Sequence, residues 1–135
     1  MKKIAISFLM ILSVVSYSQT PITDANFETA INICLSTNPV DGMCSDSEYG
    51  AMPDWDVSNV TDMRYAFFES SNFNADISAW DVSKVTSMDA MFRVATSFNQ
   101  DIGGWDVSNV TNIGGMFLSA SAFNQDLSSW DVSSV

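Results

Sequence analysis

Four tryptophans, Trp55, Trp80, Trp105 and Trp130, follow one another at a step of 25 residues, and each opens the same phrase, WDVS. Three complete copies span 55–79, 80–104 and 105–129 without a gap, and a fourth start covers 130–135. With each tryptophan counted as position 0, apolar residues recur at position 2 (Val57, Val82, Val107) and position 5 (Val60, Val85, Val110). Position 8 carries Met63, Met88 and Ile113, and position 12 carries Phe67, Phe92 and Phe117. Phe73, Phe98 and Phe123 occupy position 18, and Ile77, Ile102 and Leu127 occupy position 22. Neither a helical period nor the alternation of a strand runs through the unit. Apolar positions spread around a whole unit instead describe a coil that fills its own centre.

One such unit cannot bury enough apolar surface to offset the entropy of ordering its backbone. Stacked units share their walls, so stability becomes a property of neighbours. The expected fold is an α/β repeat solenoid with short parallel strands and short helical or 3₁₀ turns. SFNQDI (97–102) and its equivalents suit a short strand. Across positions 6–13, TSMDAMFR and TNIGGMFL place apolar residues at 8, 11 and 12, a helical set that the threonine at position 6 can cap. Gly114 and Gly115 weaken that helix in the third unit, so a 3₁₀ turn fits as well.

Two segments precede the repeats. Residues 1–18 have the anatomy of a secretory signal peptide: two lysines, an apolar run from Ile4 to Val15 and small residues at Ser16 and Ser18. Residues 19–54 read as an N-terminal cap over the open end of the stack. In it Thr23 or Asp24 starts an amphipathic helix whose inner face is Phe27, Ala30, Ile31 and Cys34. Behind a signal peptide, Cys34 and Cys44 read as one disulfide, with two free thiols as the alternative; the bond stabilises by roughly 2–3 kcal/mol. Val135 falls six residues into a unit, so the chain is expected to be part of a longer gene product.

Charge bounds the partners. Loss of Lys2 and Lys3 leaves Arg64, Lys84 and Arg93 against 16 acids, a net charge of −13. Such a surface repels nucleic acid and anionic lipid and suits basic partners or divalent cations.

Polar positions repeat as faithfully as the apolar ones. Asp56, Asp81, Asp106 and Asp131 stand at position 1, and Asp76, Asp101 and Asp126 at position 21. Carboxylates stacked at sheet spacing repel by about 0.9 kcal/mol in bulk water, so each row needs solvent, N–H partners or cations. Two readings stand: a calcium-binding ladder, or Asx turns at each corner together with the serines at position 3. Asn74, Asn99 and Asn124 form either an internal ladder or a polar binding strip. The tryptophans are either core residues closing each coil or a stacked platform for glycan rings, whereas Met63, Met88, Met91 and Met116 read as core. Asn59–Thr61 and Asn109–Thr111 match the N-glycosylation pattern, with an inward valine that argues for poor acceptance. Outward variable positions, such as Arg64, Asp89 and Gly114 at position 9, are the candidates for recognition. With no histidine and no unit that breaks the repetition to build a cleft, catalysis is not expected, nor any cofactor beyond possible calcium.

The phrase WDVSNVTDM, the phenylalanine that follows it and SFNQDI ahead of the next WDVS resemble the BspA-like surface-protein repeat, a relative of leucine-rich repeats. The resemblance runs from Trp55 to Val135, and DANFETAINICLSTNPVDGMCSDSEYG resembles the segment that often precedes such repeats. It implies a leucine-rich-repeat-type solenoid on secreted or cell-surface proteins that act as adhesins toward protein or glycan partners. It brings no catalytic residues. The alternative is a spacer or stalk that displays another domain.

Overall fold

The computed structural model describes residues 18–135. The expected signal peptide lies, apart from its last residue, outside the described residues.

Helix α1 spans Phe27–Thr37 and buries Phe27, Ala30, Ile31 and Cys34, the face its spacing requires. Neither Thr23 nor Asp24 caps it with a side chain. Asn26 holds the N-cap position, and its Oδ1 turns back to accept the Thr23 N–H at 2.8 Å. The Thr23 carbonyl takes the Phe27 N–H at 2.9 Å, so backbone closes the first turn. Cys34 and Cys44 are joined, with their Cα atoms 5.3 Å apart. Between them Gly42 adopts φ +65°, where a side chain would also lie 2.9 Å from Met52 Cβ. Its carbonyl accepts the Met52 N–H at 2.9 Å, laying the loop against a single 3₁₀ turn at Met52–Asp54. Phe27 meets the Trp80 ring edge-on at 5.9 Å, which seats the cap on the repeats.

The expected α/β stack of short parallel strands is overturned. Among the described residues the β-pairing is limited to isolated parallel bridges from Asp62 to Ser87 and from Ser87 to Asn112, and the repeats contain no helix. Backbone hydrogen bonding explains why. In the first unit the N–H groups of Met63, Tyr65, Phe67 and Glu69 reach the carbonyls of Ser87, Asp89, Met91 and Arg93, one coil on, at 2.9–3.0 Å. The alternate N–H groups of Ala66, Phe68 and Ser70 close turns onto Met63, Tyr65 and Phe67 within the same coil. The next unit repeats the scheme from Met88, Ala90, Phe92 and Val94 to Asn112, Gly114, Met116 and Leu118. A helix would use every N–H internally, and a strand would use none that way. Left-handed residues at position 10 (Tyr65, Ala90, Gly115) and position 14 (Glu69, Val94, Ser119) reverse the curl every four residues and hold the segment as a ladder of turns.

The core is two aromatic columns and a row of tryptophans. Within each coil the position 12 and position 18 rings stack at 3.9–4.1 Å: Phe67 on Phe73, Phe92 on Phe98, Phe117 on Phe123. Between coils the same rings follow at 5.5–5.9 Å. Phe67, Phe73, Phe92 and Phe98 are fully buried; Phe117, Phe123 and Trp130 are half-buried, with no coil described beyond them. Trp55, Trp80 and Trp105 are core residues with no open face for sugar rings. Each indole N–H is satisfied by backbone: Trp80 donates to the Met52 carbonyl at 3.0 Å, Trp105 to Ile77 at 3.2 Å and Trp130 to Ile102 at 3.0 Å. Those carbonyls also accept the backbone N–H of Trp55, Trp80 and Trp105 respectively, so each is doubly occupied.

Candidate interaction surface beside the first coil

The aspartate rows build corners. Oδ1 of Asp56, Asp81, Asp106 and Asp131 accepts the N–H of Ser58, Ser83, Ser108 and Ser133 at 3.0–3.1 Å. Asp76, Asp101 and Asp126 do the same for Ser78, Gly103 and Ser128 at 2.9–3.1 Å. The serine hydroxyl and then the N–H hold the carboxyls of Asp56, Asp76, Asp81, Asp106 and Asp131 below the usual aspartate range. The Ser128 N–H leads the same effect at Asp126. Among the described residues no three metal-ligating side chains gather in one place.

Coil-to-coil polar rows run along the outside. The Asn99 N–H donates to Asn74 Oδ1, and Asn124 to Asn99, each at 2.9 Å. Gln100 and Gln125 add amide bonds to the carbonyls of Asn74 and Asn99. The asparagine ladder therefore exists, but it lies at the surface and not inside. Thr86 and Thr111 each place both N–H and hydroxyl on the carbonyl of the threonine one coil earlier, at 2.8–3.2 Å. Thr61 has no coil before it, and Asp24 supplies what is missing. Its carboxylate accepts the Thr61 N–H and hydroxyl at 2.7 Å each, and the Asp62 N–H at 3.3 Å. Desolvation pushes the Asp24 carboxyl up, yet the Thr61 N–H, the Thr61 hydroxyl and the Asp62 N–H together hold it below its ordinary range.

Position 9 divides by coil. Arg64 is exposed and paired with Asp62 at 2.6 Å, Asp89 is half-buried, and a Cβ at Gly114 would meet the Asp89 carboxylate at 2.9 Å. Met63, Met88, Met91 and Met116 are buried as core. Asn59 and Asn109 are exposed, each followed by a buried valine.

The first coil carries large aromatics at two positions that differ in every coil. Position 10 holds Tyr65 where later coils have Ala90 and Gly115; position 13 holds Phe68 where they have Arg93 and Leu118. Tyr65 is 54% exposed and Phe68 39% exposed, and their rings meet edge-on at 5.9 Å. The Arg93 guanidinium lies 5.9 Å above Phe68. This pair borders a groove of about 740 Å³ between α1 and the first coil. Phe27, Ile31, Leu35 and Ala66 line it as well, with Asp24, Glu28, Asp62 and Arg64 around it.

A family model described as Mycoplasma protein of unknown function, DUF285, matches residues 39–135. The chain belongs to the DUF285 family. The DUF285 match takes in every repeat and begins just after α1, within the cysteine loop. No curated protein matches the chain significantly. No solved structure does so either. No helix among the described residues of this DUF285 protein is long and apolar enough to cross a membrane.

Tyr65 and Phe68 were not singled out by the repeat pattern, because inward residues define that pattern. Comparing positions 10 and 13 across the units exposes both: each carries a large aromatic once and something else twice.

Proposed function

We propose that this chain is a BspA-like exported module that binds a partner at the cell surface and carries out no catalysis. The observation that carries the reading is the exposed Tyr65–Phe68 pair beside the groove, on the coil that places large aromatics at two outward positions. Large exposed aromatics do not help a soluble coil fold, and tyrosine is among the residues most enriched at binding hot spots. Export is supported by the Cys34–Cys44 bond, which persists in oxidising compartments. Absence of catalysis is supported by the repeated carboxylates, each of which already holds the N–H two residues on. The spacer reading draws on the uniform coil-to-coil rows, which would make a stiff rod. Binding of the purified, oxidised chain to panels of extracellular-matrix proteins and glycans tests the choice. Saturable binding to one of them is expected, and none across both panels would leave the spacer.

A further inference from the structure

We infer that the groove between α1 and the first coil is a docking site for a basic peptide segment carrying an aromatic or aliphatic anchor. The inference rests on the binding reading above and names its partner.

Three independent observations converge on this place. The first is conformational. Tyr65 sits at φ +59°, a left-handed backbone that costs a side-chain-bearing residue about 1–2 kcal/mol, at a position where the other coils have alanine and glycine. More than half exposed, its ring returns little of that cost through packing. The left-handed backbone itself belongs to the turn ladder of every coil; what sets the first coil apart is a large exposed aromatic at a ladder position that alanine or glycine fills elsewhere.

The second observation is preorganisation. Phe68 packs perpendicular to the Tyr65 ring and under the Arg93 guanidinium, so the two aromatic side chains already contact each other. Leu35 and Ala66 are partly buried beside them, giving an apolar floor for an anchor side chain. Aromatics fixed before binding lose little rotamer entropy when a ligand arrives.

The third is charge. Asp24, Glu28 and Asp62 lie around the groove, Arg64 pairs with Asp62, and Arg93 stands over Phe68, so three acids face two arginines there, while residues 19–135 carry −13 overall. A cationic segment is steered toward that field, and an acidic one is repelled. An apolar anchor flanked by lysine or arginine matches floor and rim together. A neutral glycan would use the rings and gain nothing from the charge.

The experiment is a random-peptide phage selection on the immobilised oxidised chain, with the selected peptides then synthesised and titrated by fluorescence anisotropy, beside a glycan array. Three variants locate the site. Tyr65→Gly and Phe68→Arg import residue types that other coils already carry at those positions, and Leu118→Ser removes an exposed apolar residue elsewhere. Selected peptides are expected to pair Lys or Arg with an aromatic or aliphatic residue, and to bind more weakly as salt rises. Tyr65→Gly and Phe68→Arg should each weaken binding by roughly tenfold or more, and Leu118→Ser should not. The thermal midpoint of Tyr65→Gly should hold or rise, which separates lost binding from lost folding. Peptides that are acidic, or that bind Tyr65→Gly as tightly as the parent, would overturn the groove proposal and leave a binding module with its site elsewhere. Glycan binding that depends on Tyr65 would overturn the peptide while keeping the surface. No ligand from either library would overturn both readings.

Discussion

Gly115→Ala separates the turn ladder from a helix by the sign of its effect. Gly115 lies in the segment whose apolar spacing matches a helix, and in the interior of a helix glycine is about 0.8–1.0 kcal/mol worse than alanine. A helix would therefore gain stability from the change. In the structure Gly115 has φ +60°, and an added Cβ meets nothing nearer than Leu118 Cβ at 4.0 Å. Steric crowding contributes nothing, and the whole effect falls on the backbone. The left-handed conformation costs alanine about 1–2 kcal/mol, offset by about 0.4–1 kcal/mol from a less flexible unfolded chain. The net expectation is a loss of about 0.5–1 kcal/mol, a drop of a few degrees in midpoint for a domain of this size. Glu69→Gly is the mirror experiment. Glu69 is exposed at φ +59°, so glycine relieves the backbone with little packing lost, and a gain of about 0.5–1 kcal/mol is expected. Thermal and urea unfolding followed by circular dichroism measure both. Stabilisation by Gly115→Ala together with destabilisation by Glu69→Gly would refute the left-handed ladder.

Three further outcomes follow from the polar rows. Asp24→Ala should destabilise by about 1 kcal/mol, the scale of a lost helix N-cap reduced by exposure to water, and urea unfolding reads it; an unchanged midpoint would mean that Asp24 does not stand in for a missing coil. Stability should fall in acid. The carboxyls of Asp24, Asp56, Asp76, Asp81, Asp106, Asp126 and Asp131 are depressed in the fold, so their contribution is complete above the ordinary value of 3.8 and is lost as pH drops through the folded values. Midpoints that climb steadily from neutral pH down to pH ~3 would show that relief of the net negative charge wins instead. Millimolar calcium should move the midpoint by less than about 2 °C relative to EDTA, since the turn N–H groups already engage the aspartates; a much larger rise would make the rows ion sites.

How far the sequence carried the fold depended on what each residue reports. The coil centre was legible because burial repeats: Val82, Val85, Met88, Phe92, Phe98 and Ile102 were all expected inside and are, and burial of Trp80 decides between its two readings. The cap helix face and the Cys34–Cys44 pairing were legible for the same reason, spacing that brings particular side chains together. Backbone routing was not. Inward residues at positions 8, 11 and 12 serve a helix and a turn ladder equally well, and the left-handed sites at Glu69 and Val94 carry residues that give no hint of it. Gly115 alone marked one of them. The asparagine row was recognised, and of its two readings the internal position is the one overturned. Phe73 and Ala75 point inward around Asn74, yet Gln100 and Gln125 replace that alanine in the later units and hide the alternation. Tyr65 and Phe68 lay outside any argument from burial.

The tryptophan bonds also bear on how such a molecule changes over generations. Every indole from Trp80 onward reaches a carbonyl 28 residues earlier, just ahead of the previous tryptophan, so each is anchored by the same bond. In this bond the junctions between coils are equivalent. Unequal recombination that inserts or deletes one 25-residue unit leaves each donor facing an equivalent acceptor, and the core columns close up in register. Length is thus free to drift in whole coils, while the cap, which is not a copy of anything downstream, stays behind as the fixed end.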